Sequence, residues 1–508
     1  MASSVASKFR VGTFNNISRV GLSRFRQSAY QIGALDSDEA IKDPVRCFFI
    51  VFFFFFFFFP PFHWVSFCKT HMSHHYHCCL SLSPSLPSLS LSLSLSHCYA
   101  LTHARSILMI LYLPNSVKKF KKKQQAILIR SHKLQVSEIP KSVCAIARCG
   151  AGTNNIPVSD LSARGIPVFN TPGANANAVK ELVLCGLLLA SRRVHQGINH
   201  VIEVAESEGT DVAIGRVEKD KKLFAGQELS GKTLGVIGLG AIGASVANAA
   251  SALGMKVIGY DPYITVESAL SLNFKGTQLQ MANSMETVMG AADYLSLHAP
   301  VIKGVTEGMI NRQALESMRP GCNIINFARG ELVDGAALKA AFDADIFKGT
   351  YVSDFPDKHL LGHPNVIGMP HLGASTEEAE ENSSSMAADT IMSFLETGSV
   401  VNSVNFPTIK TEPKSENIAV RACIVNENRK GMLQEITNAF SEFNVARAQN
   451  ESRDDISYNL IDLEDMPGDL DGLMKTVTGI DGVLSARFIV STDGENSRYK
   501  LNRDNSLM

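Results

Sequence analysis

From residue 124 onward, short apolar runs alternate with stretches in which apolar residues recur every three or four positions. The runs 126–130 (AILIR), 143–147 (VCAIA) and 166–170 (IPVFN) are short and rich in Ile and Val, so they predict buried strands. Residues 178–203 then predict one long helix rich in Leu and Ala. A second alternating block opens at Lys232, with a strand at 233–238 (TLGVIG), a small-residue helix over 241–253 and a strand at 255–260 (MKVIGY). Further strands are predicted at 294–298, 323–327, 350–353 and 366–369, and a helix over 376–397 leaves the block. Strands alternating with helices imply parallel sheets with crossover connections. Residues 408–417 are polar and contain proline, which marks a linker. Beyond it the pattern predicts strand (418–425), helix (432–443), strand (within 455–463), helix (470–478) and strand (483–490), a small α+β domain.

The first 123 residues read differently. Residues 1–26 carry Lys8, Arg10, Arg19, Arg24 and Arg26, with no acid before Asp36. That pattern suits a transit peptide, but it also suits a first strand at 9–14 and a helix beginning over 17–25. Residues 47–123 hold eight consecutive phenylalanines (52–59), Pro60 and Pro61, a Ser/Leu alternation over 80–96, and five lysines among 118–123. The apolar run is shorter than the ~20 residues a membrane helix needs, and the prolines end it. The alternation has a strand's period, but its repetition is that of low-complexity sequence. His71, His74, His75, His77, Cys78 and Cys79 have the chemistry of metal ligands without a scaffold to orient them, so no metal site is assigned. The stretch reads as an insertion into a first domain or as a translated non-coding segment.

Composition narrows the function. In 508 residues, 45% are hydrophobic and 19% charged, and the net charge is −1, which gives no global electrostatic reason to bind nucleic acid or a membrane surface. Of ten cysteines, five lie in the odd stretch and the rest are single, which fits a reducing compartment rather than a disulfide framework.

Three motifs carry chemistry. Gly238-Leu239-Gly240-Ala241-Ile242-Gly243 follows a predicted strand and opens a helix, and Asp261 ends the next strand 18 residues after Gly243. In such a turn Gly238 permits the tight bend, Gly240 lets backbone approach a pyrophosphate and Gly243 lets helix and strand pack closely. The helix start offers N–H donors to phosphate, while Asp261 accepts from ribose hydroxyls and repels a 2′-phosphate, favouring NAD over NADP. Second, Arg329 follows a buried strand in NFARG, where open α/β sheets bind ligands and where a guanidinium fork suits a carboxylate. Third, His371 in MPHLGAST follows an apolar strand at the same edge, and imidazole is suited to take a hydroxyl proton near neutral pH.

In this order the three motifs resemble the D-isomer specific 2-hydroxyacid dehydrogenase family. Ile129 to Leu134 (IRSHKL), Asn170 to Val179 (NTPGANANAV) and His371 to Thr376 are similar to its phosphoglycerate-oxidising branch, and residues 9–30 resemble its opening strand and helix. The resemblance implies an α/β fold of two doubly wound parallel-sheet domains, a substrate domain (8–45, 124–195 and 372–407) with a Rossmann NAD domain (196–371) inserted. An α+β domain similar to ACT modules (417–491) and a tail (492–508) would follow, and 46–123 would interrupt the first domain. It implies an enzyme oxidising 3-phosphoglycerate with NAD to 3-phosphooxypyruvate, at the entry to serine synthesis. His371 would be the acid/base, Arg329 the carboxylate clamp, and Arg130, Ser131, Gly152 and Asn175 substrate-binding, with Arg130 or Lys133 on the phosphate. Besides the glycine turn with Ala241 and Ile242, the cofactor would contact Asp261, His298, Thr306, Ala328, Asp354 and Gly373.

The family pairs its histidine with a glutamate shortly after a Phe-Pro step. Here Phe355-Pro356 precedes Asp357, Lys358 and His359, and the glutamate position falls on Lys358; either Asp357 or Asp354 substitutes, or the base works with a lower pKa. In the ACT-like domain, Asn426-Glu427-Asn428 stands where serine-inhibited relatives carry effector-binding residues; Asn428 matches one, while Asn426 and Ala446 replace two others. The resemblance further implies a homodimer or homotetramer in the cytoplasm, with an amino-acid effector or a purely dimerising role for the last domain. Two other readings stay open, a dehydrogenase of another 2-hydroxy acid such as 2-hydroxyglutarate, and an NAD-binding regulatory protein with impaired turnover.

Overall fold

The computed structural model describes residues 9–15, 17–27, 29–34, 124–272, 279–415, 417–490 and 498–502. The stretch 46–123, with its histidines and cysteines, lies outside the described residues.

The first sheet has five parallel strands, β1 (Phe9–Thr13), β2 (Tyr30–Ala34), β3 (Ala126–Ile129), β4 (Ala145–Arg148) and β5 (Val168–Phe169), in the order β2-β1-β3-β4-β5. β3 shows no solvent exposure along its length, as an all-apolar run between helical layers should. The order reverses between β1 and β3, and there Asn15, in the left-handed region (φ 64°), accepts the backbone N–H groups of Ser131 and His132 on its Oδ1 at 3.2 and 2.7 Å.

The second sheet has seven parallel strands: β6 (Thr233–Ile237), β7 (Lys256–Tyr260), β8 (Leu279–Met281), β9 (Tyr294–Leu297), β10 (Asn323–Asn326), β11 (Tyr351–Ser353) and β12 (Val366–Gly368). Their order is β12-β11-β10-β9-β6-β7-β8, so the reversal, where such sheets open a crevice, falls between β6 and β9.

The single helix expected over 178–203 is two, Ala176–Arg192 and Val194–Glu208, because Arg193 adopts a left-handed conformation (φ 52°) that breaks the ladder. The first of the pair buries Val179, Val183 and Leu187 in one core with Val236, Val246 and Ile325. Its packing therefore ties it to the second sheet, although its sequence follows the first. A further helix, Thr210–Asp220, turns back along Val194–Glu208.

The helix Glu377–Thr397 returns to the first sheet, burying Ala387, Ile391 and Phe394 in one cluster with Val11 and Leu128. Thr376 caps its start by accepting the N–H of Ala379, and Gly398 ends it with a left-handed turn (φ 82°).

The last domain is an antiparallel sheet of β13 (Val420–Glu427), β14 (Val445–Arg453), β15 (Ile456–Leu463), β16 (Val483–Val490) and β17 (Arg498–Asn502), in the order β14-β15-β13-β16-β17. Helices Met432–Asn438 and Leu470–Thr478 cover one face. With β17 left aside this is the βαββαβ order expected of an ACT-like module; β17 adds an edge strand from the tail. The other face packs on the body, where Cys423, Tyr458, Leu460 and Ile489 join the cluster that holds Phe394. Two buried arginines stitch this seam. Arg487 donates to the carbonyls of Phe394 and Leu395, and Arg421 donates to Thr397 O while forming a two-bond pair with Asp462 at 2.7 and 2.9 Å. Cations at a helix C-terminus satisfy carbonyls that the helix itself leaves open.

Candidate active site

The glycine turn sits at the β6/β9 reversal. Gly238 has φ 90°, and a Cβ there would lie 2.6 Å from the His298 carbonyl oxygen, so only glycine fits. A Cβ on Gly243 would stand 1.9 Å from Gly238 O, which is how closely helix and strand approach. Gly240, by contrast, faces open space and begins the helix Ala241–Ala252 with no side-chain cap. The N–H groups of Ala241 and Ile242 thus start a helix whose positive end is unspent. Asp261 accepts Leu239 N–H at 2.8 Å and Tyr263 N–H at 2.9 Å, fixing both the turn and its own carboxylate beside it. His298 bonds Ser296 Oγ at 2.8 Å, and burial lowers its pKa to about 4, so the ring is neutral. Thr306 closes the neighbouring loop, donating to Pro300 O and accepting from Ile302 N.

Asp354 follows β11 and is fully buried. Its Oδ2 accepts Gly373 N–H, while Oδ1 has no partner among the described residues, and burial raises its pKa. A buried acceptor without a donor beside the histidine loop suits an amide N–H such as that of a nicotinamide carboxamide. Open cradle, unspent helix start, anchored Asp261 and orphaned Asp354 acceptor together fit NAD.

The Phe355 ring stands between His371 and Gly330, the residue after Arg329. The Phe355 ring lies 4.6 Å from that of His371, and Phe355 Cβ is 3.2 Å from where a side chain on Gly330, next to Arg329, would begin. Arg329 Nη1 donates to Ala328 O at 2.6 Å, and its Nη2 would be 3.2 Å from a Cβ on Gly152, a residue of the first domain. Arg329 therefore spans from the second sheet to the loop after β4. The histidine loop is seated by Gly373, around which Val179 and the Phe327 carbonyl close to within 4.0 Å of a Cβ.

Asp357 does not lie beside His371. Its carboxylate would be 2.6 Å from a Cβ on Gly335, at the start of the helix Gly335–Asp343, and it accepts His359 N–H at 2.7 Å. Lys358 is exposed. Among the described residues no carboxylate hydrogen-bonds the His371 ring; Asp354 lies near enough that the histidine offsets part of the rise that burial causes in its pKa.

On the first sheet, Arg130 follows β3 and Ser131 succeeds it in the turn pinned by Asn15. Lys133 is exposed. Asn175 precedes the helix Ala176–Arg192 without capping it through its side chain, which leaves its amide for a ligand. Sequence reasoning overlooked Arg148, the last residue of β4. Its Nε donates to Arg130 O at 3.2 Å, and it crosses Gly150, whose Cβ would be 2.0 Å from Nη1. Burial, and then the charges of Arg130 and Arg329, lower its pKa. The strand-end rule that picked out Arg329 points equally to Arg148. Three guanidiniums thus share one mouth.

Comparison with known proteins agrees with this geometry. The sequence profile of the D-isomer specific 2-hydroxyacid dehydrogenase NAD-binding domain matches residues 186–373. D-3-phosphoglycerate dehydrogenase of Haemophilus influenzae is 31% identical over 366 residues, covering 70% of this chain and 83% of that protein. The chain belongs to the D-isomer specific 2-hydroxyacid dehydrogenase family. A hydroxypyruvate reductase of Thermotoga maritima, also similar, is 37% identical over 253 residues, 48% of this chain and 75% of that one. Apo D-mandelate dehydrogenase of Rhodotorula graminis superposes with a TM-score of 0.52 at 20% identity, covering 80% of this chain and all of the other, and so shares the fold. Membership makes the chain an NAD-dependent dehydrogenase, and the matched segment contains the glycine turn, Asp261, Arg329 and His371.

Proposed function

We propose that the chain oxidises 3-phosphoglycerate to 3-phosphooxypyruvate, the first step toward serine. The observation that carries this reading is the meeting of three arginines around the loop after β4: Arg148 bonds the Arg130 carbonyl and crosses Gly150, and Arg329 reaches Gly152. A 2-hydroxy acid with a single carboxylate needs one clamp; a substrate with a carboxylate at one end and a phosphate at the other needs several cations. Arg329 takes the carboxylate, Arg130 and Arg148 the phosphate, and Ser131, Gly152 and Asn175 line the carbon chain. His371 accepts the C2 hydroxyl proton, and Arg329 holds that carbon so the proton points at the ring. NAD, when bound, supplies the ring carbon that takes the hydride; the glycine turn, Asp261, His298, Thr306, Ala328, Asp354 and Gly373 hold it. Asp354, buried behind the loop that carries His371, is the acid that stands in for the missing glutamate.

The Thermotoga maritima relative favours one second reading, reduction of an unphosphorylated 2-oxo acid. NADH oxidation with 3-phosphooxypyruvate, hydroxypyruvate and 2-oxoglutarate tests the two. A kcat/KM highest for the phosphorylated acid supports the proposal; equal or better use of another overturns it.

A homo-oligomer fits the exposed Ile198, Ile202 and Ile214 on the helices Val194–Glu208 and Thr210–Asp220. Among the described residues no helix is long and apolar enough to cross a membrane, and a cytoplasmic location belongs to the proposal. An amino-acid effector finds little to hold at the ACT-like turn, where Asn428 donates to Asp454 O and accepts from Ser457, and Asn426 bonds Asn459.

A further inference from the structure

Arg130 already has an anion. Glu380, 250 residues later in the sequence and in the first turn of the return helix, forms an ion pair with Arg130 Nη2. Among the described residues neither Arg148 nor Arg329 is paired with a carboxylate, so Glu380 is the acid held within the arginine cluster.

The backbone at Arg130 does not depend on this contact for its place. Its carbonyl accepts from Arg148 Nε and from Asn155 Nδ2, and the next two N–H groups are held by Asn15. The pair meets at a single nitrogen, with side chains 32% and 40% exposed. Exposed pairs of this kind are weak and readily exchanged.

We infer that Glu380 sets the affinity of the distal anion site, as a built-in counter-ion on Arg130 that the distal phosphate of the substrate must displace. This rests on the phosphoglycerate reading above. A free phosphate ion has only that one foothold and competes with Glu380 directly. The substrate is also held through its carboxylate at Arg329, so its phosphate arrives at high effective concentration and wins. Glu380 thereby weakens the grip of the cluster on any distal anion, tethered or loose, by the same factor, and the tether through Arg329 lets the substrate bind in spite of it. An acid lacking a distal anion never meets Glu380 and is indifferent to it.

The test compares the full-length enzyme with Glu380→Gln, using NADH with 3-phosphooxypyruvate or hydroxypyruvate, and inorganic phosphate as inhibitor. Removing the counter-ion lowers both the KM for 3-phosphooxypyruvate and the inhibition constant of phosphate by about three- to five-fold, the size of an exposed pair. The kcat and the hydroxypyruvate constants stay unchanged. Glu378→Gln, which removes a charge from the same helix turn, leaves all constants as they were. Unchanged or raised constants for 3-phosphooxypyruvate and phosphate in Glu380→Gln overturn the inference, as does an equal response to Glu378→Gln. A wild type that prefers hydroxypyruvate and ignores phosphate overturns instead the substrate reading on which it rests.

Discussion

The N–H of Gly373 donates to the buried carboxylate of Asp354 at 2.9 Å, tying the loop that carries His371 to the end of β11. Burial raises the pKa of this carboxyl, so the folded chain holds the proton more tightly than the unfolded chain. The resulting penalty is absent in acid, grows as pH rises through the unfolded value, and is complete above the folded one. Asp354→Asn removes it. Urea unfolding should find the variant at least as stable as wild type near neutrality, with the difference closing in acid. Its amide places a donor where NAD offers one, so NADH titration should give about ten-fold weaker binding.

His371 is exposed and rests on Phe355, so its replacement does not disturb the core. His371→Asn is expected to lower kcat by about two to four orders of magnitude, the usual worth of a placed acid/base. Thermal unfolding should be unchanged. Loss of activity together with loss of fold would contradict the role.

Asp261 accepts the N–H groups of Leu239 and Tyr263 and keeps a negative charge beside the glycine turn. Asp261→Ser should raise kcat/KM with NADPH relative to NADH by at least about ten-fold, since a carboxylate there repels a 2′-phosphate. An unchanged cofactor ratio in steady-state assays would show that the discrimination lies elsewhere.

Arg421 and Asp462 are both nearly inaccessible, at 3% and 5% of side-chain exposure. Arg421→Met leaves Asp462 buried and unpaired, a loss of about 3–5 kcal/mol. The double replacement Arg421→Met with Asp462→Leu should recover part of it, as an apolar pair of similar volume needs no counter-charge, while the carbonyls of Thr397 and Glu412 stay without their donor. Chemical denaturation of the three proteins decides the matter.

Much of this fold is legible because it is repetitive. A buried parallel strand such as β3 is an unbroken apolar run, and the Gly238 turn announces itself by spacing. What stays hidden depends on particulars that no run of residues encodes. Nothing around Arg193 forbids a continuous helix; the break is a single left-handed residue. β14 has an almost wholly exposed, polar sequence and is a strand because β15 offers it an edge. The place of Asp357 was hidden for another reason. Read along the chain it stands beside Pro356, close to the missing glutamate, but folding turns its carboxylate to the helix beginning at Gly335. Arg148 and Glu380 are meaningful only through partners far along the chain, Arg130 in both cases.

The seam where Arg487 and Arg421 hold the carbonyls at the end of the return helix bears on evolution and engineering. A terminal module joined by a tether alone can be shed, swapped or fused elsewhere without harm to its host. Here excision would bare Phe394 and the apolar cluster around it and strip the helix end of its cations. A shortened variant would have to reshape that surface to replace what the module covers.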